Sequence, residues 1–423
     1  MKILRDPLSA IRAVDIALLC DDQSTEGIQL ELKQDLPARD GRQDPWHGGG
    51  PIGDYARNEI ASEVVAFANT IGGVVLVGIE ETDDHPKRAS RPKSLPRIHE
   101  LARRMRQGVF DIIDPPLPLL EAEGIDMGKG EGVVVLRVAP SRRKPHRHMV
   151  TKEVYVRRAD ESAKIGMREI QELTIRSAGE TAGVNTTIEK RRRVFRTGFH
   201  DWTTAAPNRS PGGSFHFLAV PTTPLDLGRV AGRPELIPPH PTVMATFAGH
   251  RYPCPWPFAR TLNWKPTLRA MTASYEPISG KSAIANARAH YVLQTDGICE
   301  FSFYYANTES RHGLFAGWLL GGLGWMLNWI EAIRRAADLP AEFALAPQIV
   351  ILGGDAALAE YGVSNFAEAR GYEIPAGFHE FPIMSIGGAD EFPQHLSRFD
   401  EDVWNLAGQD TRRTAAIFEL DSD

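Results

Sequence analysis

The sequence predicts an α+β protein, with a mixed α/β domain at the N-terminus and a separate α/β or α+β domain after it. Three observations carry this. Residues 28–33 alternate strictly between apolar and polar, the period of a strand with one buried face. A helical stripe of Ile60, Val64, Phe67 and Ala68 ends at Asn69-Thr70-Ile71-Gly72-Gly73, and an unbroken apolar run over 74–79 follows at once. Beyond residue 200 a second set of strand and helix patterns begins. The 423 residues are therefore expected to divide near 1–180 and 201–423, with a linking helix over 181–200.

Taken in chain order, Ile28, Leu30 and Leu32 face one way and Gln29, Glu31 and Lys33 the other. Residues 37–53, rich in Pro and Gly, read as a flexible loop. A helix is expected from about residue 54, stopped by Gly72 and Gly73, which are free to turn left-handed at its end. The run 74–79 reads as a buried central strand delivering Glu80 and Glu81 to its C-terminal end. A basic helix over 98–110, a proline-rich loop, strands over 132–138 and 150–157, and a helix over 167–175 complete the first domain. Residues 178–186 read as a Gly/Thr-containing linker, and 189–196 as the start of a connecting helix. In the second region, strands are expected near 214–220, 297–305 and 348–352, and helices near 313–337 and 355–361, with Asp355 as an N-cap.

With 42% hydrophobic and 24% charged residues, the composition excludes a largely disordered chain. Cys20, Cys254 and Cys299 are too few and too scattered for a disulfide framework or a cysteine zinc site, and a cytoplasmic location is expected. Charges at Arg5, Asp6, Arg12 and Asp15 break the apolar run that a signal peptide requires. Residues 313–330 carry no formal charge and reach the lower edge of a membrane-spanning length. Their glycines, Asn328, and Trp318, Trp325 and Trp329 on one helical face favour a buried helix, in the core or between copies, and no membrane is expected. Net charge is −6, but residues 80–196 hold 25 Lys and Arg against 18 Asp and Glu, a surplus that a polyanion-binding half needs.

Glu31 and Lys33 fall side by side on one strand face. Carboxylates of this kind hold Mg2+ or Mn2+, which polarises a phosphodiester, while a lysine offsets charge growing on the phosphorus centre. Alone, such a pair is also what a solvated strand carries. Arg142, Arg143, Lys144, His146, Arg147 and His148 form a dense basic segment suited to phosphate contact, and Arg157 and Arg158 end the next strand. Gly280-Lys281-Ser282 lacks the leading glycine of a phosphate-binding loop, position 275 being tyrosine, which excludes a P-loop ATPase. His146/His148 and His240/His250 lack partners at zinc-ligand spacing.

The stretch Thr25-Glu26-Gly27-Ile28-Gln29-Leu30-Glu31-Leu32-Lys33 resembles the opening element of the Schlafen/AlbA domain family. Ala66-Phe67-Ala68-Asn69-Thr70-Ile71-Gly72-Gly73 and the apolar run after it are similar to that family's helix-to-strand turn. Arg142, Lys144, Pro145 and His146 before Tyr155-Val156-Arg157 fit its third element. The resemblance implies a three-carboxylate site in nuclease members, mapping here to Glu26, Glu31 and Glu81, with Glu80 a near alternative and Lys33 beside them. It implies Mg2+ or Mn2+ on the three glutamates, and nucleic-acid contacts at Arg142, Arg143, Lys144, His146, Arg157 and Arg158. The family's third acid is often aspartate, so Glu81 is one methylene longer. The 37–53 loop is longer than expected, and its His47 either touches substrate or decorates the surface. The implied function is a metal-dependent endoribonuclease acting on structured, tRNA-like RNA in a bacterial anti-phage setting, with the second region as sensor or as the surface through which copies assemble. The alternative is a non-catalytic DNA- or RNA-binding regulator.

Overall fold

The computed structural model describes residues 2–6, 8–39, 42–205, 212–223, 225–237, 242–247, 249–254, 264–275, 286–306, 312–337, 341–352, 356–360, 371–410 and 415–419. The chain divides into two compact units, residues 1–182 with 337–342, and residues 183–336 with 343–423.

Strands of the first unit are β1 (Leu30–Lys33), β2 (Gly73–Val77), β3 (Ile79–Glu81), β4 (Ala89–Pro92), β5 (Ile113–Asp114), β6 (Leu120–Gly128), β7 (Glu131–Val138), β8 (Arg147–His148), β9 (Tyr155–Arg158) and β10 (Glu161–Lys164). Its helices are α1 (Lys2–Arg5), α2 (Ala13–Asp21), α3 (Asp54–Asn69) and α4 (Ile98–Phe110), and α5 (Met167–Thr204) starts here. The central sheet has the order β1-β2-β7-β6, with β1 parallel to β2 and the remaining pairs antiparallel. Val75, Val77, Val134 and Leu136 pack with α3 and α4 on one face. Leu30, Leu32, Val74 and Leu76 pack with α2 on the other. Covered on both sides, β2 is buried at every residue, which is why its sequence is continuously apolar rather than alternating.

The helix-to-strand turn explains its own glycines. Gly72 has φ +76°, and a Cβ there would lie 2.6 Å from the Val138 carbonyl oxygen. A Cβ on Gly73 would overlap the Phe67 ring and stand 2.8 Å from the Gln29 carbonyl oxygen. Gly72→Ala combines left-handed strain with backbone overlap, so it is expected to lower the unfolding free energy by about 2–3 kcal/mol in urea titration. An unchanged midpoint would mean the turn relaxes freely.

Several local expectations change. The first strand begins at Leu30, and Ile28 is exposed rather than core-facing. β6 completes a long hairpin with β7 that the sequence pattern did not announce. Of the stretch expected to be a flexible loop, residues 44–53 are held rather than loose: Pro45–Gly48 is a 3-10 turn, and Asp44 accepts hydrogen bonds from the amides of Trp46 and Gly53, both at 2.9 Å. The segment 178–186 is no linker but part of α5, a helix of 38 residues. Glycine weakens a helix by only about 1 kcal/mol, and Val184 and Ile188, buried against Leu218 and Val220, offset that.

In the second unit the strands are β11 (Gly212–Pro221), β12 (Thr242–Phe247), β13 (His250–Pro253), β14 (Trp264–Pro266), β15 (Ala270–Tyr275), β16 (Asn286–Gln294), β17 (Cys299–Ala306), β18 (His312–Phe315), β19 (Phe343–Leu352), β20 (Ala356–Ala359), β21 (Gly371–Ile374), β22 (Gly377–Glu380), β23 (Met384–Ile386) and β24 (Ala415–Glu419). Eight of them form an antiparallel sheet in the order β14-β15-β16-β17-β11-β19-β22, with β23 also on β19. Its helices are α6 (Ala316–Ala337) and α7 (Phe392–Leu406), with the C-terminal part of α5. Tyr291 packs edge-on against Trp325, centroids 5.2 Å apart, and Trp329 is fully buried. The uncharged run 313–330 is thus mostly a core helix, preceded by strand β18, and among the described residues no helix is long and apolar enough to cross a membrane. The helix expected near 355–361 is instead β20, which pairs with β18 and β21. Asp355, Gly280-Lys281-Ser282 and His240 lie outside the described residues.

Candidate functional site

Because Leu30 and Leu32 turn toward α2, Glu31 and Lys33 turn toward α3, beside Val75 and Val77 of the neighbouring strand. There they meet two groups from distant parts of the chain, Glu63 on α3 and Arg157 on β9. Lys33 Nζ donates to Glu31 Oε1 and lies 3.5 Å from Glu63 Oε1. The Arg157 guanidinium is 2.6 Å from Glu31 Oε2 and 3.1 Å from Glu63 Oε2, with its side chain fully buried and 5.0 Å over the Phe67 ring. Ser162 Oγ also donates to Glu63. The four charged groups make a ring of alternating sign.

The turn after α3 builds this ring. Asn69 donates its amide to the His146 and Tyr155 carbonyls at 2.9 and 2.8 Å, and accepts from the His146 amide at 2.7 Å. Thr70 Oγ1 accepts the Arg157 amide at 2.9 Å. Arg157 then donates to the Gly27 and Leu30 carbonyls at 3.1 and 3.2 Å. The Asn-Thr pair thus fixes the backbone from which Arg157 reaches Glu31.

Glu26 completes the site from the edge of β1. Its carboxylate accepts the Leu32 amide at 3.0 Å and is largely buried. Burial, and then the negative charges of Glu31 and Glu81, push its pKa up to about 7, although the Leu32 N–H and Lys87 pull the other way. Glu63 is raised by burial and by Glu31. Burial works against the Lys33 ammonium, but Glu31, Glu63 and Glu81 outweigh it and hold the lysine protonated. Glu81 pairs with Lys87. Glu80 faces away, paired with Arg91, which depresses its pKa. The structure therefore brings Glu26, Glu31, Lys33 and Glu81 into one electrostatic neighbourhood and leaves Glu80 outside it.

Hard carboxylate oxygens are the donors that Mg2+ or Mn2+ takes. In the described arrangement, however, Lys33 and Arg157 hold Glu31, and Lys87 holds Glu81. No group of three or more His, Cys, Asp or Glu among the described residues is placed to grip a metal. With those cations in place, these residues do not form a cage for a divalent ion.

The basic segment separates into inner and outer members. His146 is fully buried, its Nδ1 2.6 Å from the Pro115 carbonyl oxygen, and burial pushes its pKa down to about 4. Neither it nor Arg157 faces a phosphate in solvent. Lys144 pairs with Glu180 at 3.0 Å, Arg147 with Asp114 at 2.8 Å, and Arg158 with Glu169. Arg142 is half-buried, its carbonyl accepting from Ser177 Oγ at 2.6 Å. Arg143 is exposed and makes no ion pair among the described residues. Of the six expected phosphate contacts, it is the one free in the manner such a contact needs.

Sequence reasoning missed Glu63 and Lys87. Glu63 had a readable signal: it lies three residues after Ile60 and four before Phe67, a charge set within a buried stripe. Lys87 gave none, since only the β3–β4 pairing brings it back to Glu81.

Residues 26–166 match the family described as Schlafen, AlbA_2. No curated protein matches the chain. One solved structure is the N-terminal domain of a protein from Nitrosomonas europaea described as related to the ATP-dependent DNA helicase RecG. It is 20% identical, with a TM-score of 0.25, over 37% of this chain and 94% of that one. The family match points to nucleic-acid-binding or nuclease-like function. Residues 26–166, the stretch that carries the Glu26, Glu31, Lys33 and Glu81 cluster, are similar to Schlafen, AlbA_2 domains over about a third of the chain.

Proposed function

We propose that the domain binds nucleic acid and breaks phosphodiester bonds at the Glu26–Glu31–Lys33–Glu81 cluster, as an endoribonuclease acting on structured, tRNA-like RNA. The observation that carries this is the enclosure of four carboxylates, Glu26, Glu31, Glu63 and Glu81, with three cations beside the edge of one strand. Burying charge costs several kcal/mol per ion, and clustered acids repel a polyanion, so a surface that only binds RNA gains nothing from them. A site for chemistry does. Glu26, with its pKa near neutrality, can take or give a proton at physiological pH. Lys33, held protonated, can offset negative charge that grows on the phosphoryl oxygens. Arg143, exposed and without an ion pair among the described residues, supplies backbone affinity that falls as salt rises.

A second reading is a reaction dependent on Mg2+ or Mn2+, with Glu26, Glu31 and Glu81 as the ligands. The mutual repulsion at Glu26 favours it, since a dication would relieve that repulsion once Lys33 or Lys87 moved aside. One experiment separates the outcomes. Full-length protein is incubated with mixed tRNA and with single- and double-stranded DNA, in Mg2+, in Mn2+ and in a chelator, beside Glu31→Ala. Cleavage of RNA that falls at least about 100-fold in Glu31→Ala supports the proposal, and its persistence or loss in chelator chooses between the two mechanisms. Salt-sensitive binding by both proteins with no cutting makes the domain a non-catalytic binder.

A further inference from the structure

Breaking a phosphodiester needs two proton movements, one away from the attacking oxygen and one onto the leaving oxygen. Glu26 can serve one of them at neutral pH. The loop between β1 and α3 presents a second group. Asp35 follows Lys33 by two residues, so the two Cα atoms are at most about 7 Å apart. The Asp35 carboxylate is 2.7 Å from His47 Nε2 and 3.1 Å from Lys93 Nζ, and it also accepts the Leu36 amide at 2.7 Å. His47 is thereby held through Nε2. Its Nδ1 makes no hydrogen bond among the described residues, and the side chain is 19% exposed, so solvent reaches the ring.

Placement of His47 is over-determined. Its neighbour Trp46 is buried, donates its indole N–H to the Pro96 carbonyl at 2.8 Å, and is covered by the Arg97 guanidinium 3.6 Å above the ring. Arg97 also donates to the Trp46 carbonyl at 2.6 Å, and Asp44 caps the turn. Folding the loop calls on Trp46, Arg97 and Asp44; nothing in it calls for a histidine. A carboxylate on one imidazole nitrogen fixes the tautomer and leaves the other nitrogen to exchange a proton.

We propose that His47, oriented by Asp35, is the second proton-transfer residue of the site; this rests on the phosphodiesterase reading above. The attacking oxygen bonds to phosphorus and releases its proton to the Nδ1 lone pair of His47, whose Nε2–H is held by Asp35. The P–O bond to the leaving nucleoside breaks with its electron pair on oxygen, and that oxygen takes the proton of the Glu26 carboxyl. Exchange with water restores both groups.

The test uses full-length wild type, His47→Ala, Asp35→Asn and Glu31→Ala, each assayed for tRNA cleavage and tRNA binding, with and without added imidazole. His47→Ala is expected to cut about 100-fold more slowly while binding within about threefold of wild type, and imidazole to restore about tenfold. Asp35→Asn is expected to lose about tenfold without rescue, since it only orients the ring. A His47→Ala rate within about threefold of wild type overturns the proposal, as does a slow variant that imidazole leaves unchanged. If wild type cuts and Glu31→Ala does not, those outcomes sink His47 alone. If wild type cuts nothing, both readings fall together.

Discussion

Arg157→Ala is expected to lower the unfolding free energy of the first unit by about 3–5 kcal/mol, the largest loss from any single change at the site. The alanine leaves Glu31 and Glu63 facing each other in a buried space with only Lys33 between them. It also removes one of the two donors that each of the Gly27 and Leu30 carbonyls accepts from. Arg157→Lys keeps a charge but cannot bridge two carboxylates and two carbonyls at once, so its loss should be intermediate. Urea titration of the full chain, followed by tryptophan fluorescence, gives the comparison. A change below about 1 kcal/mol would mean that water reaches the two glutamates and that the ring is not the buried network described.

Glu26→Gln is expected to act in the opposite direction. A carboxyl whose pKa rises from 4.5 to about 7 on folding favours the folded state only while it carries its proton. That contribution is complete below pH 4.5 and is lost as pH rises through 7. Above pH 8 the wild type therefore holds a disfavoured carboxylate, at a cost of roughly 3 kcal/mol for a shift of this size. Glutamine cannot ionise, and it can still accept the Leu32 amide. The variant should be more stable than wild type by up to about 3 kcal/mol at pH 8.5, with the difference fading toward pH 5. The same change should slow RNA cleavage by about 100-fold. Melting temperatures across that pH range check the first expectation. A constant offset at every pH would show that Glu26 does not titrate there.

Much of this arrangement was legible in the sequence because it depends on local order. The pleat puts Glu31 beside Lys33, and the Asn69–Gly73 turn and the apolar run after it could be read as helix end and buried strand. What escaped depends on long-range closure. Arg157 reads as a basic residue at a strand end, and only the Thr70 and Asn69 clamps turn it inward to Glu31. His146 reads as one more positive charge in a basic run, yet the same clamp buries it as a neutral ring. The loop over 37–53 misled for a related reason: glycines and prolines announce a turn, but not that a tryptophan within it is buried under an arginine from fifty residues on. In the second unit, helix α6 was visible from its apolar length, while β20 is too short for its periodicity to separate strand from helix.

The edge of β1 ties the carboxylate cluster to solubility. It is the terminal strand of its sheet, and the outward groups of such a strand invite pairing by another chain. Here the Leu32 amide is taken by Glu26, and the Leu30 carbonyl by Arg157 and the Gly27 amide. Side chains of the site therefore do what a covering strand would do elsewhere. Glu26 and Arg157 could not simply be trimmed to small residues, because doing so would open a template for aggregation. Their retention in a relative would therefore reflect protection of an edge, whatever else the site does.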